Sequence, residues 1–355
     1  MTKDAPRQVV VKVCYAKKVK SKKKKKVTKK QTASVMAEYS EGFTYTDPAS
    51  GESDTVSIKL SNIDWRFAST WLPAKGDKMT AKIVTQNWNA QGVEKVFSCG
   101  KFCVDDLSFS GPELTCTIGG VSVPDGNAFR CTERSKIWHE VTLKEVAREM
   151  ARKYHLKLSY TASKIKLGTI EQSNETDSSF LNKVCQDFDM ALKIYYGKII
   201  IYDKRIFEKR RPVATIHESD MQSWSCNSTI TGTYTGARIK YAGDGDTERE
   251  CVVGSGKRIL NISEKADNLQ DAKIKACAKV NAENEKSVTM TVSIMADNRI
   301  AAGSTVNITG MYQFNGKYFV DQVSHSIEAG GGYTMDLELH KCQKRIYKVK
   351  RSKKK

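Results

Sequence analysis

The sequence lacks the apolar segments that carry proteins into or across membranes. It contains no stretch of about 18 consecutive apolar residues, the length that a membrane-spanning helix needs. Its first residues, Met1 to Pro6, also lack the apolar core of a signal peptide. We therefore expect a chain without a membrane span that is synthesised and folds in the cytoplasm.

The sequence also lacks the short motifs that hold metals, phosphates or catalytic groups. Its ten cysteines include no CxxC pair, and its five histidines form no HExxH motif. Residues 254–257, Gly-Ser-Gly-Lys, have neither the first glycine nor the final Ser or Thr of a phosphate-binding loop. We therefore predict no metal site, no cofactor and no enzymatic activity.

Three carboxylates leave one catalytic alternative open. Glycoside hydrolases use a pair of Asp or Glu residues whose separation is set by the fold and not by their spacing in the sequence. Asp105, Asp106 and Asp321 lie at the ends of predicted strands and are the candidates for such a pair. A structural role suits them better, because no recognisable motif surrounds them.

Positive charge is concentrated at the two ends of the chain. The net charge is +19, of which residues 1–30 carry +12 and residues 341–355 carry +9, so the remainder carries −2. A lysine run near the amino terminus is a candidate contact arm for nucleic acid or for an acidic partner surface. The arm consists of Lys22, Lys23, Lys24, Lys25 and Lys26. No aromatic residue is interleaved there to stack on bases, so a solvated arm explains the run equally well.

One nine-residue pattern occurs twice. Residues 100–108 read GKFCVDDLS, and residues 316–324 read GKYFVDQVS. Both follow a turn and continue with alternating apolar and polar residues, which is typical of a half-buried strand. The signature comprises Gly76, Asp77, Gly100, Phe102, Val104, Asp105, Gly303, Gly316, Tyr318, Val320 and Asp321. The repeat predicts two copies of one small β domain, and the alternative is a chance match in a β-rich chain.

The order of predicted elements gives a fold class that is α+β and mostly β. Short strands between turns predict a barrel or sandwich on each side of a compact α/β domain. That α/β domain contains a capping box, Thr142 to Glu145, followed by an apolar helical stripe. The predicted parts are residues 1–34 (basic strand and lysine-rich arm), 35–132 (first β domain), 133–205 (inserted α/β domain), 206–340 (second β domain with one helix) and 341–355 (basic tail).

Seven segments form a recognisable series in their order and spacing: residues 71–77, 99–106, 138–151, 171–173, 176–181, 316–321 and 325–326. Together they resemble the phage late control D protein family, the baseplate hub proteins of contractile phage tails and of phage-tail-like bacteriocins. The resemblance implies two tail-tube-type β-barrels with a small inserted α/β domain. It also implies a homotrimer, in which two barrels from each of three chains give six similar units.

The expected function is that of a structural hub, a symmetry adaptor that joins a sixfold tail tube to a threefold central spike. The resemblance implies four partners: the spike protein, a tail tube or tube-initiator protein, baseplate wedge proteins and a tape-measure protein. It places the chain in the bacterial host cytoplasm during assembly and then in a virion or phage-tail-like particle. Two alternatives remain, a tail-associated peptidoglycan hydrolase and a basic nucleic-acid-binding protein.

Overall fold

A computed structural model shows a mostly β protein, as the sequence predicts. Among the residues that the structure describes, 52% lie in strands and 18% in helical segments. The structure describes residues 5–19, 27–31, 39–88, 90–122, 128–162, 164–195, 197–242, 247–330 and 332–347. Within these ranges no helix has the length and apolar character that crossing a membrane requires.

The described part of the chain contains twenty-one strands and five α-helices. The strands are β1 (Gln8–Val19), β2 (Val27–Gln31), β3 (Ser40–Pro48), β4 (Thr55–Ser61), β5 (Lys78–Gln86), β6 (Glu94–Ser110), β7 (Thr115–Val121), β8 (Glu133–Trp138), β9 (Lys157–Thr161), β10 (Ile170–Thr176), β11 (Met190–Tyr195), β12 (Lys198–Asp203), β13 (Ala214–His217), β14 (Met221–Ser228), β15 (Gly236–Ala242), β16 (Glu248–Gly254), β17 (Ile259–Ala266), β18 (Val288–Met295), β19 (Thr305–Thr309), β20 (Gly316–Glu328) and β21 (Gly332–Lys341). The helices are α1 (Ala128–Cys131), α2 (Leu143–Lys153), α3 (Asp177–Asp187), α4 (Lys204–Glu208) and α5 (Leu269–Glu285).

One long sheet runs through both ends of the chain. Its strand order is β14-β18-β21-β20-β3-β4-β7-β6-β5-β1-β2, and β19 with its neighbour β13 branches from β20. Strands β3 and β20 join the amino-terminal part to the carboxy-terminal part, with Tyr45 opposite His325. Strand β1 pairs with β5 and so belongs to this sheet. The two-barrel arrangement within this sheet remains a prediction.

Alternation of apolar and polar residues explains why these segments form half-buried strands. In β4, Val56, Ile58 and Leu60 are buried, whereas Ser57 and Lys59 point to the opposite face. The inward faces of the long sheet share a single core that extends from Val13 of β1 to Leu339 of β21. The two ends of the chain are therefore packed together as one body.

The α/β insertion has a separate core, formed mainly by residues between β8 and β12. Helices α2 and α3 pack with the three-stranded sheet β11-β12-β9. The stripe of α2 that the sequence predicts is buried at Leu143, Val146 and Met150. Trp138 stacks on Phe180 with the ring centroids 5.0 Å apart.

A third core lies between β14 and β18 in the sequence. The three-stranded sheet β16-β15-β17 packs against α5 through residues that include Ile239, Val253, Ala276 and Val280. Ile346, near the carboxy terminus, packs against the same core. This core gives α5 a fixed position beside the insertion.

The capping box at the start of α2 makes both of its hydrogen bonds. The Glu145 amide donates to Thr142 Oγ1 at 3.3 Å, and the Thr142 amide donates to Glu145 Oε2 at 2.8 Å. Because Thr142→Ala removes the acceptor for a free helix amide, we expect it to lower the free energy of unfolding by about 1 kcal/mol in a urea titration. Thr142→Ser keeps the hydroxyl and should retain most of that stability. An equal loss in both variants would contradict the capping role.

Candidate assembly site

The glycine turn before β5 is hydrogen-bonded to the first repeated segment, residues 100–108. The Gly76 amide donates to the Val104 carbonyl at 2.7 Å, and the Val104 amide donates to the Asp77 carbonyl at 2.9 Å. Gly76 has a φ of 87°, a left-handed conformation that glycine adopts without steric cost. Gly100 also has a positive φ, 116°. Asp77 is buried, and its carboxylate accepts hydrogen bonds from the Tyr15 hydroxyl and the Ala74 amide.

The glycine turn before β19 is hydrogen-bonded to the second repeated segment, residues 316–324, in the same way. The Gly303 amide donates to the Val320 carbonyl at 2.8 Å, and the Val320 amide donates to the Ser304 carbonyl at 2.9 Å. Gly303 and Gly316 have φ values of 81° and 142°, in the places of Gly76 and Gly100. The two segments therefore share backbone geometry as well as sequence.

The aromatic residue of each repeat anchors its strand in the core. Phe102 is 2% exposed and Tyr318 is fully buried. Both strands also contain an extra residue next to the repeated valine. The register of β6 against β7 shifts at Asp105, and that of β20 against β21 shifts at Asp321.

The two repeated aspartates differ in what they contact. Asp105 is exposed, whereas the carboxylate of Asp321 lies 2.7 Å from Nδ1 of His340. The structure thus places Asp105 and Asp321 at matching backbone positions but does not bring them into one site. The candidate arm, Lys22 to Lys26, lies outside the described residues.

A buried charged cluster that the sequence does not reveal holds the carboxy-terminal segment, residues 342–347. The guanidinium of Arg345 binds the carboxylate of Glu208 through two nitrogens. It also donates to Glu285 Oε1 at 2.6 Å and to Asp189 Oδ1 at 2.9 Å. These acids belong to α4, α5 and the loop before β11, so one side chain ties three elements together.

Burial and neighbouring charges set the ionisation of this cluster. Burial alone would lower the pKa of His340, but Asp321, Glu208 and Glu285 together raise it to about 9. Burial alone would raise the pKa of Glu208, but His340 and Arg345 lower it to about 2. The cluster therefore contains ionised partners on both sides at neutral pH.

The same cluster contains a set of groups with metal-ligand chemistry. Glu208, Glu285 and His340 offer ligand atoms that lie within 4.8 Å of one another. The guanidinium of Arg345 binds both glutamates, so a metal ion would have to displace it. We therefore assign the cluster to a structural ion-pair network.

A second polar cluster joins the insertion to both parts of the long sheet. The ammonium of Lys193 contacts Asp47 and lies 3.6 Å from Asp54 Oδ1. The Tyr45 hydroxyl donates to Asp54 at 2.7 Å, and Asp47 accepts from the Ala302 amide at 3.3 Å. Burial raises the pKa of Asp54 to about 7, although Lys193 opposes this rise.

No local motif could have revealed these two clusters. Arg345 lies 60 residues from Glu285 and 137 from Glu208 in the sequence, and Lys193 lies 146 from Asp47. Charged residues at such separations carry no spacing signal. Their proximity arises only when the insertion packs between the two parts of the sheet.

The fold is that of phage tail proteins. The 43 kDa tail protein of prophage MuSo2 from Shewanella oneidensis has a TM-score of 0.70 at 12% identity, over 94% of this chain and 98% of that one. A tail protein from Neisseria meningitidis MC58 has a TM-score of 0.66 at 12% identity, over 94% of this chain and 96% of that one. These similarities establish the fold.

The sequence places the chain in a family. Residues 129–340 match the YQBQ-like family, and the chain belongs to it. The probable baseplate hub protein of Escherichia phage P2 is 28% identical over 205 residues, which is 56% of this chain and 50% of that protein. The chain therefore spans about half the length of the curated relatives it matches. The resemblance to baseplate hub proteins that the sequence predicts is confirmed.

The Arg345 cluster generates a prediction about stability. Arg345→Ala removes the cation that Glu208 and Glu285 share, and the remaining cations nearby, His340 and Lys204, offset this loss only in part. We therefore expect it to lower the free energy of unfolding by about 3 kcal/mol. Arg299→Ala is the matched control, because Arg299 pairs with Asp297 but its side chain is 61% exposed. That variant should lose at most about 1 kcal/mol. Similar urea midpoints for the two variants would contradict the structural role of the cluster.

Proposed function

We propose that this protein is the structural baseplate hub of a contractile tail or injection particle. In this proposal it forms a homotrimer that adapts a sixfold tail tube to a threefold central spike. The name of the phage P2 relative supports the hub role, and the solved tail proteins support the architecture. The contribution of the chain is interface packing and strand pairing, with no catalytic step.

The observation that carries this proposal is the matching geometry of the two repeats. The turns at Gly76 and Gly303 make the same pair of hydrogen bonds. The bulge of each repeated strand, at Asp105 or Asp321, lies five residues after the first glycine of its repeat. Each chain thus holds two similar β units. Three chains arranged around an axis would present six units to a sixfold partner and three equal surfaces to a threefold one.

The parts of the chain have distinct roles in this proposal. Residues 35–132 and 206–340 supply two tube-like barrels to the ring, and residues 133–205 form the inserted α/β domain. The spike and the tube or tube-initiator protein contact opposite faces of the ring, and wedge proteins surround it. A tape-measure protein is a further partner. Assembly takes place in the bacterial host cytoplasm and ends in a virion or phage-tail-like particle.

The charged ends have a separate proposed role. The basic segments 1–30 and 341–355 of three chains would gather a large positive charge at a few places in the ring. Such charge requires solvent, an acidic neighbouring protein or nucleic acid close by. Contact between Lys22 to Lys26 and nucleic acid remains a prediction.

Light scattering of the full-length protein tests the proposed stoichiometry. We expect a mass of three times 39.7 kDa, either alone or after addition of the spike protein of the same particle. The measurement is repeated at about 1 M salt, where screening within about 3 Å suppresses association through the basic ends. A monomer that does not bind the spike, or a trimer that dissociates into monomers at high salt, would contradict the proposal.

A further inference from the structure

The two β units have the same strand order. The first unit is β3-β4-β7-β6-β5, and the second unit is β14-β18-β21-β20-β19. The repeated turns make β6 equivalent to β20, because Val104 and Val320 occupy the same position in them. The shared order then makes β3 equivalent to β14.

A matching irregularity aligns β3 with β14 residue by residue. The register of β3 against β4 shifts between Ser40 and Gly42, and that of β14 against β18 shifts between Met221 and Ser223. Superposing these two bulges makes Tyr45 equivalent to Cys226. This alignment uses only the position of the irregularity.

The registers across each unit give the same alignment independently. In the first unit, Tyr45 pairs with Val56, Val56 with Gly120, and Gly120 with Val104. In the second unit the corresponding path leads from Cys226 through Met290 and Leu339 to Val320. Because Val104 and Val320 are the repeated valines, Tyr45 and Cys226 must be equivalent.

Within one chain, β3 of the first unit pairs with the carboxy-terminal half of β20 in the second unit. The pairing runs from Gln322 to Glu328 and sets His325 opposite Tyr45. The two rings stack with centroids 5.5 Å apart, and both residues are buried. This junction shows how one unit of this fold attaches to the next.

The junction between β3 and β20 has a counterpart at two other strand edges, β14 and residues 106–110 of β6. Each of these edges lacks a strand partner on one side among the described residues. Residues 106–110 of β6 pair only with β7, although the equivalent half of β20 also receives β3. Strand β14 pairs only with β18, although its equivalent β3 pairs on both sides. Phe109 is 43% exposed, whereas its equivalent His325 is fully buried. Trp224 of β14 is 47% exposed, whereas its equivalent Phe43 is buried.

We infer that β14 of one copy pairs antiparallel with residues 106–110 of β6 in the next copy. This inference rests on the proposed trimer and names the strands that join its chains. The register copied from the junction within the chain places Phe109 opposite Cys226 of the neighbouring copy and Ser108 opposite Asn227. The open backbone groups of both edges then find partners, and the exposed aromatic rings of Phe109 and Trp224 become buried.

The contact is head-to-tail, because each copy offers β14 to one neighbour and β6 to the other. Such a heterologous contact closes into a ring when the rotation per copy permits it. Every junction in the ring, within a chain or between chains, then joins a β3-type edge to a β6-type edge. The ring consequently has a single kind of unit-to-unit contact.

A cysteine cross-link tests the inferred register. Directly opposite residues of an antiparallel pair have Cα atoms about 4.5–5.5 Å apart, which lies within the range of a disulfide. Full-length Phe109→Cys should therefore form a disulfide with the native Cys226 of the next copy on oxidation. Non-reducing electrophoresis should show cross-linked dimers and trimers, and reduction should return them to single chains.

Two controls keep the cross-link specific. Adding Cys226→Ser to Phe109→Cys should remove the cross-linked bands. Ser108→Cys alone should not cross-link to Cys226, because successive residues of a strand point to opposite faces. Ser108→Cys combined with Asn227→Cys should cross-link, and it tests the same register without altering Phe109 if the first variant folds poorly.

The outcomes separate this inference from the proposed function. A variant with the mass of three chains by light scattering but no cross-link in either cysteine pair would overturn the inferred strands and leave the trimer standing. A protein that stays monomeric, alone and with its spike, would contradict both. Cross-linked trimers from both cysteine pairs, lost in the controls, would support the inferred interface.

Discussion

The structure depends on backbone hydrogen bonds between strand edges, because an unpaired edge leaves polar backbone groups without partners. The pairing of β3 with β20 meets this need between the two parts of the chain and turns them into one sheet. It also buries Tyr45 against His325, so polar backbone groups and aromatic surface are satisfied together. In the inferred trimer, β14 and the end of β6 meet the same requirement by pairing with neighbouring copies.

Charged clusters fix the orientation of the insertion on this sheet. Lys193 reaches from β11 to Asp47 and Asp54, and Arg345 reaches from the carboxy-terminal segment to α4 and α5. Buried ion pairs contribute little net stability, but breaking one of them is costly because a charge is left without a partner. They therefore select one arrangement of the insertion and penalise others.

Local features of the chain could be predicted from the sequence. Alternating residues gave β4 its buried face, and Thr142 with Glu145 marked the start of α2. The two nonamers led to segments with the same turn, because a glycine with positive φ and a buried aromatic residue leave a recognisable pattern. The resemblance to hub proteins followed from the order of many such segments.

Features that depend on distant contacts could not be predicted. Nothing near Arg345 in the sequence indicates that it binds acids from three separate elements. The sheet β16-β15-β17 and α5 form a core of their own, although their sequence shows only ordinary strands and a helix. The unpaired edges of β14 and β6 likewise follow only from the observed strand pairing, because the sequence does not indicate on which side a strand is paired.

The most direct test is a cryo-electron microscopy reconstruction of the full-length protein assembled with its own tube and spike, refined without imposed symmetry. The account predicts three chains whose six β units form a closed ring, with β14 of each chain continuing the sheet of the next chain at β6. A ring with another number of units, or one in which β14 faces solvent, would contradict it.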